Sequence, residues 1–447
     1  MLQLISSGLA GMWLNLSGVN PQMVSPSQVT SWQGLPWLNP PKPVEAGVNK
    51  IVDEYVQALK VAGLDPQKQE IWLRTEGNVL IDRNGTIPVP SASLTKTATS
   101  LAALATWGAN KRFITSISAS GKIAGGVLDG DLIVEGGGDP LFVWEDAIAI
   151  AQSLNQLGIK KVSGNLIIVG NFYMNYKSNP QKAGELLKQA LTGVNLPSTL
   201  LNTEFKDVNI VKLATAPGMS GAKLPQVLIA GQIQVTIAPS SPIISLIKHE
   251  SLLLSEIIKQ MNIYSNNEIA EMLATGVGGA EAVMKIVSKS SKFPISEIQL
   301  INGSGLGVEN KLSPRAVCQI FRALQQTLQL ANLTLPDIFP VAGGESLGTL
   351  KDRNLPVGTT IKTGTLNEVS ALGGVLPTRD RGLVWFVIVN RGSQIAQLRQ
   401  QQDRLLHSLL KEWGEVTPTP LAVTKKDDAP AYLGDPKRNS IVLLPSR

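Results

Sequence analysis

The chain has 447 residues, 43% of them hydrophobic and 17% charged, which suits a globular protein of two domains rather than one core. Forty basic residues against 34 acidic give a net charge of +6, and no Lys/Arg block interleaved with aromatics suggests a nucleic-acid partner. One cysteine, Cys318, excludes an intramolecular disulfide and reads as a buried thiol, while two histidines, His249 and His407, leave too little for a His/Cys zinc site.

Leu2 to Val19 is fairly apolar, but no Lys or Arg precedes Lys42, so a secretory signal is not convincing. The run is also too polar for a confident membrane span. A surface helix, a weak membrane anchor and a segment behind a missed start all stay open. Trp32, Trp37, Pro36, Pro40, Pro41 and Pro43 mark a linker. Val48, Ile51, Val52, Tyr55, Val56 and Leu59 then recur at helical spacing, and Gly63 and Pro66 end that helix. Ile71 to Leu73 and Val79 to Ile81 read as a hairpin across Gly77. After Pro88-Val89-Pro90, the apolar series Leu94, Ala98, Leu101, Ala102, Ala105 predicts a helix buried on several sides.

From Phe113 the texture changes. Short β-like runs at 132–134, 166–169, 208–211, 227–229 and 233–236 are separated by Gly and Pro, with one helix near Trp144 to Leu157. Gly136-Gly137-Gly138 reads as a tight loop, since it lacks the Lys-Ser/Thr of a phosphate cradle. Helical texture returns from Leu246 to Leu328. Ala371 to Leu376 and Leu383 to Val389 read as strands, Ala396 to Trp413 as a closing helix, and 417–447 as an exposed tail whose Ile441 to Leu444 could dock back.

Three motifs carry chemistry. Ser93-Leu94-Thr95-Lys96 places a hydroxyl and an amine three residues apart, on one face of a helix. With so few histidines, a lysine is the natural base for such a serine. The same spacing recurs at Ser220/Lys223, Ser245/Lys248 and Ser408/Lys411, but only Ser93 stands at a proline-led start of an apolar helix. Ser265-Asn266-Asn267 fits a proton shuttle with an amide anchor. Its register has a competitor in Tyr264-Ser265-Asn266, and an N-cap role for Ser265 or Asn266 is compatible with either. Ser153/Asn155 and Ser163/Asn165 match the same loose pattern. Lys362-Thr363-Gly364 occurs once; lysine beside small residues lets a ligand lie against a strand edge.

These three motifs, in this order, are those of serine enzymes that react with penicillins. Pro90 to Thr99 resembles the nucleophile block of the penicillin-binding protein 4 type of D-Ala-D-Ala carboxypeptidase/endopeptidase. Ser265 to Leu273 resembles its second block, which favours the Ser265/Asn267 register. Asn302-Gly303-Ser304-Gly305-Leu306 with Leu312 to Arg315, Pro340 to Gly343 with Gly348 to Leu350, and Lys362 to Leu366 with Val369 to Leu372 continue the match. Gly130 to Leu132 with Gly138 to Pro140 resembles the start of the family's inserted domain. The likeness runs from about residue 48 to 413. Asn266 and Asn302 stand where the family has Asp, and Gly307-Val308 where it has Ser-Arg.

The resemblance implies an α/β (α+β) fold: a β-lactamase/transpeptidase-like antiparallel sheet flanked by helices, interrupted by a β-rich inserted domain. The expected segments are 1–47 as N-terminal segment and linker, 48–112 and 244–415 as the split catalytic domain, 113–243 as the insertion, and 416–447 as the tail. It implies Ser93 as nucleophile, Lys96 as base, Ser265 as proton relay, and Asn267, Lys362, Thr363, Gly364 and Thr365 as substrate-binding residues. The substrate would be peptidoglycan stem peptides, with β-lactams as acylating inhibitors and no metal or organic cofactor. Such substrates place the protein in the periplasm. A β-lactamase or esterase on the same scaffold, or a wall-binding protein with a decayed site, are the alternatives.

Overall fold

The computed structural model describes residues 46–193, 224–238, 242–344, 347–417, 419–425 and 432–442. The expected N-terminal segment, the run at 208–211, the Ser220/Lys223 pair and residues 443–447 lie outside them.

The first sheet is antiparallel and five-stranded. In spatial order its strands are Thr360–Leu366, Val369–Thr378, Gly382–Arg391, Gln69–Arg74 and Val79–Arg83. The expected hairpin and late strands are therefore neighbours, although they lie far apart in sequence. All ten residues of Val369–Thr378 are buried, because helices cover the sheet on both sides. Pro314–Gln329 packs on one side and Ile395–Trp413 against the same strands. Strands covered on both faces read as continuous apolar runs, which is why Leu383 to Val389 is so plain in the sequence.

A polar network ties the early and late pieces together. Tyr55 of helix Ala46–Val61 donates to Asn390 at 2.9 Å, and Asn390 donates to Gln69 at 2.7 Å. Gln402 donates to Asn390 at 2.8 Å and accepts from Arg353, whose guanidinium also grips Asp403 at 2.6 Å. Gln69, Asn390 and Gln402 are wholly buried, so each amide needs these partners.

Helix Thr95–Trp107 sits inside the helical layer, with every residue from Thr95 to Leu104 buried. Its hydroxyls are satisfied inward: Thr97 by Leu94 O, Ser100 by Lys96 O and Thr99 by Gly303 O. Cys318 is buried in the same core, and burial pushes its thiol up to about 12, so it is inert as a nucleophile.

A second apolar core is separate from the first. It contains Ile117, Leu132, Val134, Leu154, Leu166, Ile168, Leu187 and Leu246. Its sheet runs 439–441, 244–250, 114–124, 127–137, 161–162, 228–229, with 166–171 branching from 127–137 and 233–236 pairing onto 166–171. On this core we infer an inserted domain of about 113–250 that includes the returning segment 432–442.

Three elements here depart from expectation. Ile244–Glu250 is a strand rather than the start of a helical stretch, because it is clamped between 114–124 and 439–441. A short apolar run carries no period that separates the two readings. Ser245 and Lys248 are both exposed on that strand, and Lys248 Nζ bonds Glu250 at 2.9 Å, which disposes of that decoy. Helix Pro180–Thr192 was not expected, although its signals are present: Asn179 caps Lys182 N, Pro180 is the first helical residue and Gly193 closes in the left-handed conformation. Strand Ile114–Ala124 was also missed. Gly136 and Gly137 end strand Val127–Gly137, and only Gly138 turns.

The expected exposed tail is partly docked. Ile441 pairs with Ile247, Asn439 meets His249 Nδ1 at 2.6 Å, and Gly434 N–H donates to Asp146 at 3.1 Å. Arg438 bonds the Asp146 carboxylate, whose side chain is 1% exposed. Removing one partner of a buried ion pair strands the other charge. Arg438→Ala should therefore lose about 3–5 kcal/mol of stability, read as a lower denaturant midpoint. Arg379→Ala, which breaks the exposed pair with Asp380, should leave the midpoint unchanged.

Candidate active site

Strand Val89–Pro90 gives way to Ser91 and then to Ala92, which has φ +48° although it carries a Cβ. That left-handed conformation costs about 1–2 kcal/mol, and the surroundings enforce it. Ser91 N–H donates to Asn310 O at 3.1 Å, and the Ser91 and Thr95 hydroxyls are 3.0 Å apart. Gly305 presses on Ala92 so closely that a Cβ there would lie 2.0 Å from Ala92 O. Gly364 closes the other side: its Cβ would fall 3.0 Å from both Ser91 O and Ser93 N. The turn delivers Ser93 at the mouth of helix Thr95–Trp107, part-exposed, in a neighbourhood otherwise buried.

Two lysines lie beneath it, both fully buried. Lys96 Nζ donates to Ser93 Oγ at 3.1 Å, Asn267 Oδ1 at 2.8 Å and Ser304 O at 2.8 Å. Burial pushes its amine down to about 7, against the opposing charges of Glu271 and Glu268. Lys362 Nζ donates to Ser265 Oγ at 3.0 Å and Thr363 O at 2.8 Å. Burial first, and then the nearby Lys96, hold Lys362 well below the usual lysine range.

Ser265 ends helix Leu254–Tyr264 in the left-handed conformation, at φ +52°, which turns its hydroxyl toward Lys362. Asn266 starts helix Asn267–Val277 and caps Ile269 N. The geometry thus joins Ser265 and Asn267 to the lysines, and leaves Asn266 as the cap. The Tyr264 register gains no support from these contacts.

Sequence reasoning left the roles of several residues unread. Glu271, one helical turn beyond Asn267, accepts from Gly303 N and Ser304 N, both at 3.0 Å. It therefore holds the loop that offers Ser304 O to Lys96. The Ala-Glu pair in the second block was its signal, but nothing local says that a loop some thirty residues on is its partner. Thr349 meets Thr363 hydroxyl to hydroxyl at 2.8 Å, and Arg399 donates to Thr365 Oγ1 at 2.8 Å.

These groups line a cavity of about 320 Å³, which includes Ser93, Ser265, Asn267, Thr363, Thr365 and Arg399. Ser408 is exposed on the closing helix and Ser153 is buried in the second core, away from it. A serine hydrogen-bonded to an amine of depressed basicity, beside a second hydroxyl on a second amine, can pass a proton from nucleophile to base and on to a leaving group.

Known proteins share this arrangement of the chain. D-alanyl-D-alanine carboxypeptidase DacB of Haemophilus influenzae is 24% identical over 421 residues, covering 74% of this chain and 86% of that protein. Carboxypeptidase Rv3627c of Mycobacterium tuberculosis is 25% identical over 409 residues, covering 78% and 85%. Among solved structures, the penicillin G acylated predatory endopeptidase Bd3459 of Bdellovibrio bacteriovorus, in complex with immunity protein Bd3460, superposes with a TM-score of 0.68 at 22% identity, over 83% of this chain and 98% of that one. Penicillin-binding protein 4 (dacB) of H. influenzae does so with a TM-score of 0.59 at 20% identity, over 79% and 99%. The fold is thus the helix-flanked antiparallel sheet of those proteins. Residues 60–184 and 222–411, which contain all three motifs, match one family throughout, and the chain belongs to it: the D-Ala-D-Ala carboxypeptidase 3 (S13) family.

Proposed function

We propose that the protein releases the terminal D-Ala from D-Ala-D-Ala peptides through an acyl-enzyme on Ser93. The observation that carries this reading is the fully buried Lys96 amine 3.1 Å from Ser93 Oγ. A neutral Lys96 takes the hydroxyl proton as Oγ bonds to the scissile carbonyl carbon. The resulting tetrahedral adduct collapses, the C–N bond breaks, and the proton reaches the leaving amine by way of Ser265 and Lys362. Water, deprotonated by Lys96, then cleaves the Ser93 ester and returns the enzyme.

Asn267 holds the substrate amide carbonyl, and Thr363 and Thr365 face the leaving residue. The oxyanion is received by the N–H groups of Ser93 and Thr365. Strand Thr360–Leu366 is the edge of its sheet, and Ile361 N–H points outward to Pro340 O. The period of two then turns the N–H groups of Thr363 and Thr365 outward as well. One such donor is worth roughly 3–4 kcal/mol in the transition state. Stem peptides of this kind lie outside the cytoplasmic membrane, so we place the action there, with cross-linked peptides as a second substrate of the same chemistry.

Benzylpenicillin is the first test. Intact mass after brief exposure should show one lasting adduct, mapped to Ser93 and absent from Ser93→Ala. Hydrolysis without a lasting adduct would favour a β-lactamase, and no reaction at all would favour a decayed site.

The lysine gives a second test. Its amine is displaced downward from 10.5 to about 7, and only the neutral form accepts a proton. The acylation rate should rise with pH through about 7 and then level. Glu271 is the larger charge opposing that displacement, so Glu271→Gln should move the rising limb to lower pH. Lys96→Ala should cost about 10²- to 10⁴-fold in acylation rate.

A further inference from the structure

The loop that offers Ser304 O to Lys96 has no apolar anchor of its own: its three large apolar side chains, Ile301, Leu306 and Val308, are exposed. Polar contacts hold it instead. Glu271 grips the middle, at Gly303 N and Ser304 N. Asn310 grips both ends. Its Oδ1 accepts from Ile301 N at 3.0 Å and Asn302 N at 3.3 Å, and its Nδ2 donates to Leu306 O at 3.0 Å and Gly307 O at 3.4 Å. The residue is wholly buried, and an amide is a neutral side chain with donors and acceptor sites side by side, all of them met here. The backbone of the same residue faces the other way. Asn310 O accepts from Ser91 N at 3.1 Å and from Ser91 Oγ at 3.4 Å, and the strand that follows, Lys311–Leu312, pairs with Val89–Pro90. Asn310 thus stands between the turn that presents Ser93 and the loop that receives Lys96, bonded to both.

We propose that Asn310 is a positioning residue for acylation: its side chain and its backbone carbonyl set the nucleophile turn and the lysine-binding loop in one register, so that Ser93 Oγ and Ser304 O meet the same amine. The inference rests on the acyl-serine reading above, in which neutral Lys96 takes the Ser93 proton. Lys96 Nζ stands 3.1 Å from Ser93 Oγ and 2.8 Å from Ser304 O. A slip of about 1 Å between turn and loop would carry one of these acceptors out of hydrogen-bond reach. The packing around the loop is cut to the same register. A Cβ on Gly305 would lie 2.0 Å from Ala92 O and 2.7 Å from Thr95 Oγ1, and Thr99 Oγ1 donates to Gly303 O at 2.6 Å. Those contacts accept the loop in one place, and Asn310 is the group that ties that place to Ser91. Glu271 does not replace it, because Glu271 holds the loop to helix Asn267–Val277 and not to the turn.

Benzylpenicillin acylation followed by stopped flow, with labelled Ser93 counted by mass, separates this role from one in folding alone. Asn310→Ala should lower the plateau acylation rate about 10- to 100-fold, the cost of roughly 1 Å of misplacement at a reacting centre, and leave the dissociation constant of the encounter complex within about twofold. The rising limb of its pH profile should also move above about 7, because burial is the main cause that holds the Lys96 amine down and a loosened loop admits water. Should the Ala variant fail to fold, Asn310→Asp, which has the same size, keeps the acceptor contacts and loses the donors, should still lower the plateau rate several-fold. At the plateau Lys96 is already neutral, so the added charge does not act through its basicity. A residue that only stabilises the fold would lower the denaturant midpoint or the labelled fraction and leave the rate per labelled site and the rising limb unchanged. That result, or a loss confined to the encounter step, would overturn the proposal. Labelling of the parent protein keeps the two readings apart. Normal labelling with an unchanged variant rate removes only the role of Asn310, whereas no labelling of the parent removes the acyl-serine reading and the role of Asn310 with it.

Discussion

Two amines share one dry pocket, and most of the site follows from the cost of putting them there. A buried ammonium is tolerable only when its donors are met, or when it sheds its proton. Lys96 is surrounded by a hydroxyl, an amide oxygen and a carbonyl, and Lys362 by a hydroxyl and a carbonyl. Each of those acceptors has to be held by something else. Ser304 O is held by the grip of Glu271 on its loop, Ser265 by the left-handed junction between two helices, and Ser93 by the strained turn at Ala92. The small residues of the motifs belong to the same constraint. Gly305 and Gly364 let the loop and the edge strand close on that turn without a side chain between them.

The polar residues of the surrounding framework play a comparable part at larger scale. Tyr55, Gln69, Asn390, Gln402 and Arg353 form one buried chain of hydrogen bonds that crosses the first sheet and reaches helix Ile395–Trp413. Because a buried amide must be fully met, this chain admits a single register of the late helix against the early strand. Arg399 rides on that same helix, three residues before Gln402, so the network that fixes the framework also fixes the cation at the cavity wall.

What could be read from the sequence was set by the range of the forces involved. The motifs at Ser93, Ser265 and Lys362 are local patterns of few residues, and the doubly covered strands announce themselves by unbroken hydrophobicity. Ile244–Glu250 could not be read, since its strand character comes from partners at 114–124 and 439–441 rather than from its own period. The same holds for Glu271, whose partners lie in the 303–304 loop, and for Arg399, whose hydrogen-bond partner Thr365 lies on another element. The docked segment 432–442 looked like a tail because its composition is polar, yet its Arg438 and Asn439 are answered by Asp146, His249 and Ser153. Helix Pro180–Thr192 was legible from its caps and was overlooked because the neighbouring texture was β-like.

The pairing of Gln69–Arg74 with Gly382–Arg391 has a kinetic side. Asn390 and Gln69 are 321 positions apart, so the early hairpin waits for its partner while the second core and most of the helices are made. At roughly 5–20 residues per second, that interval is about 16–64 s. Throughout it, strand Gln69–Arg74 presents an unpaired edge rich in Ile, Trp and Leu, the kind of surface that seeks other chains. The second core has mostly nearer neighbours and can assemble meanwhile. Folding of this protein is thus expected to be late and cooperative at its first sheet, with a holding chaperone the natural guardian of the hairpin until residue 391 emerges.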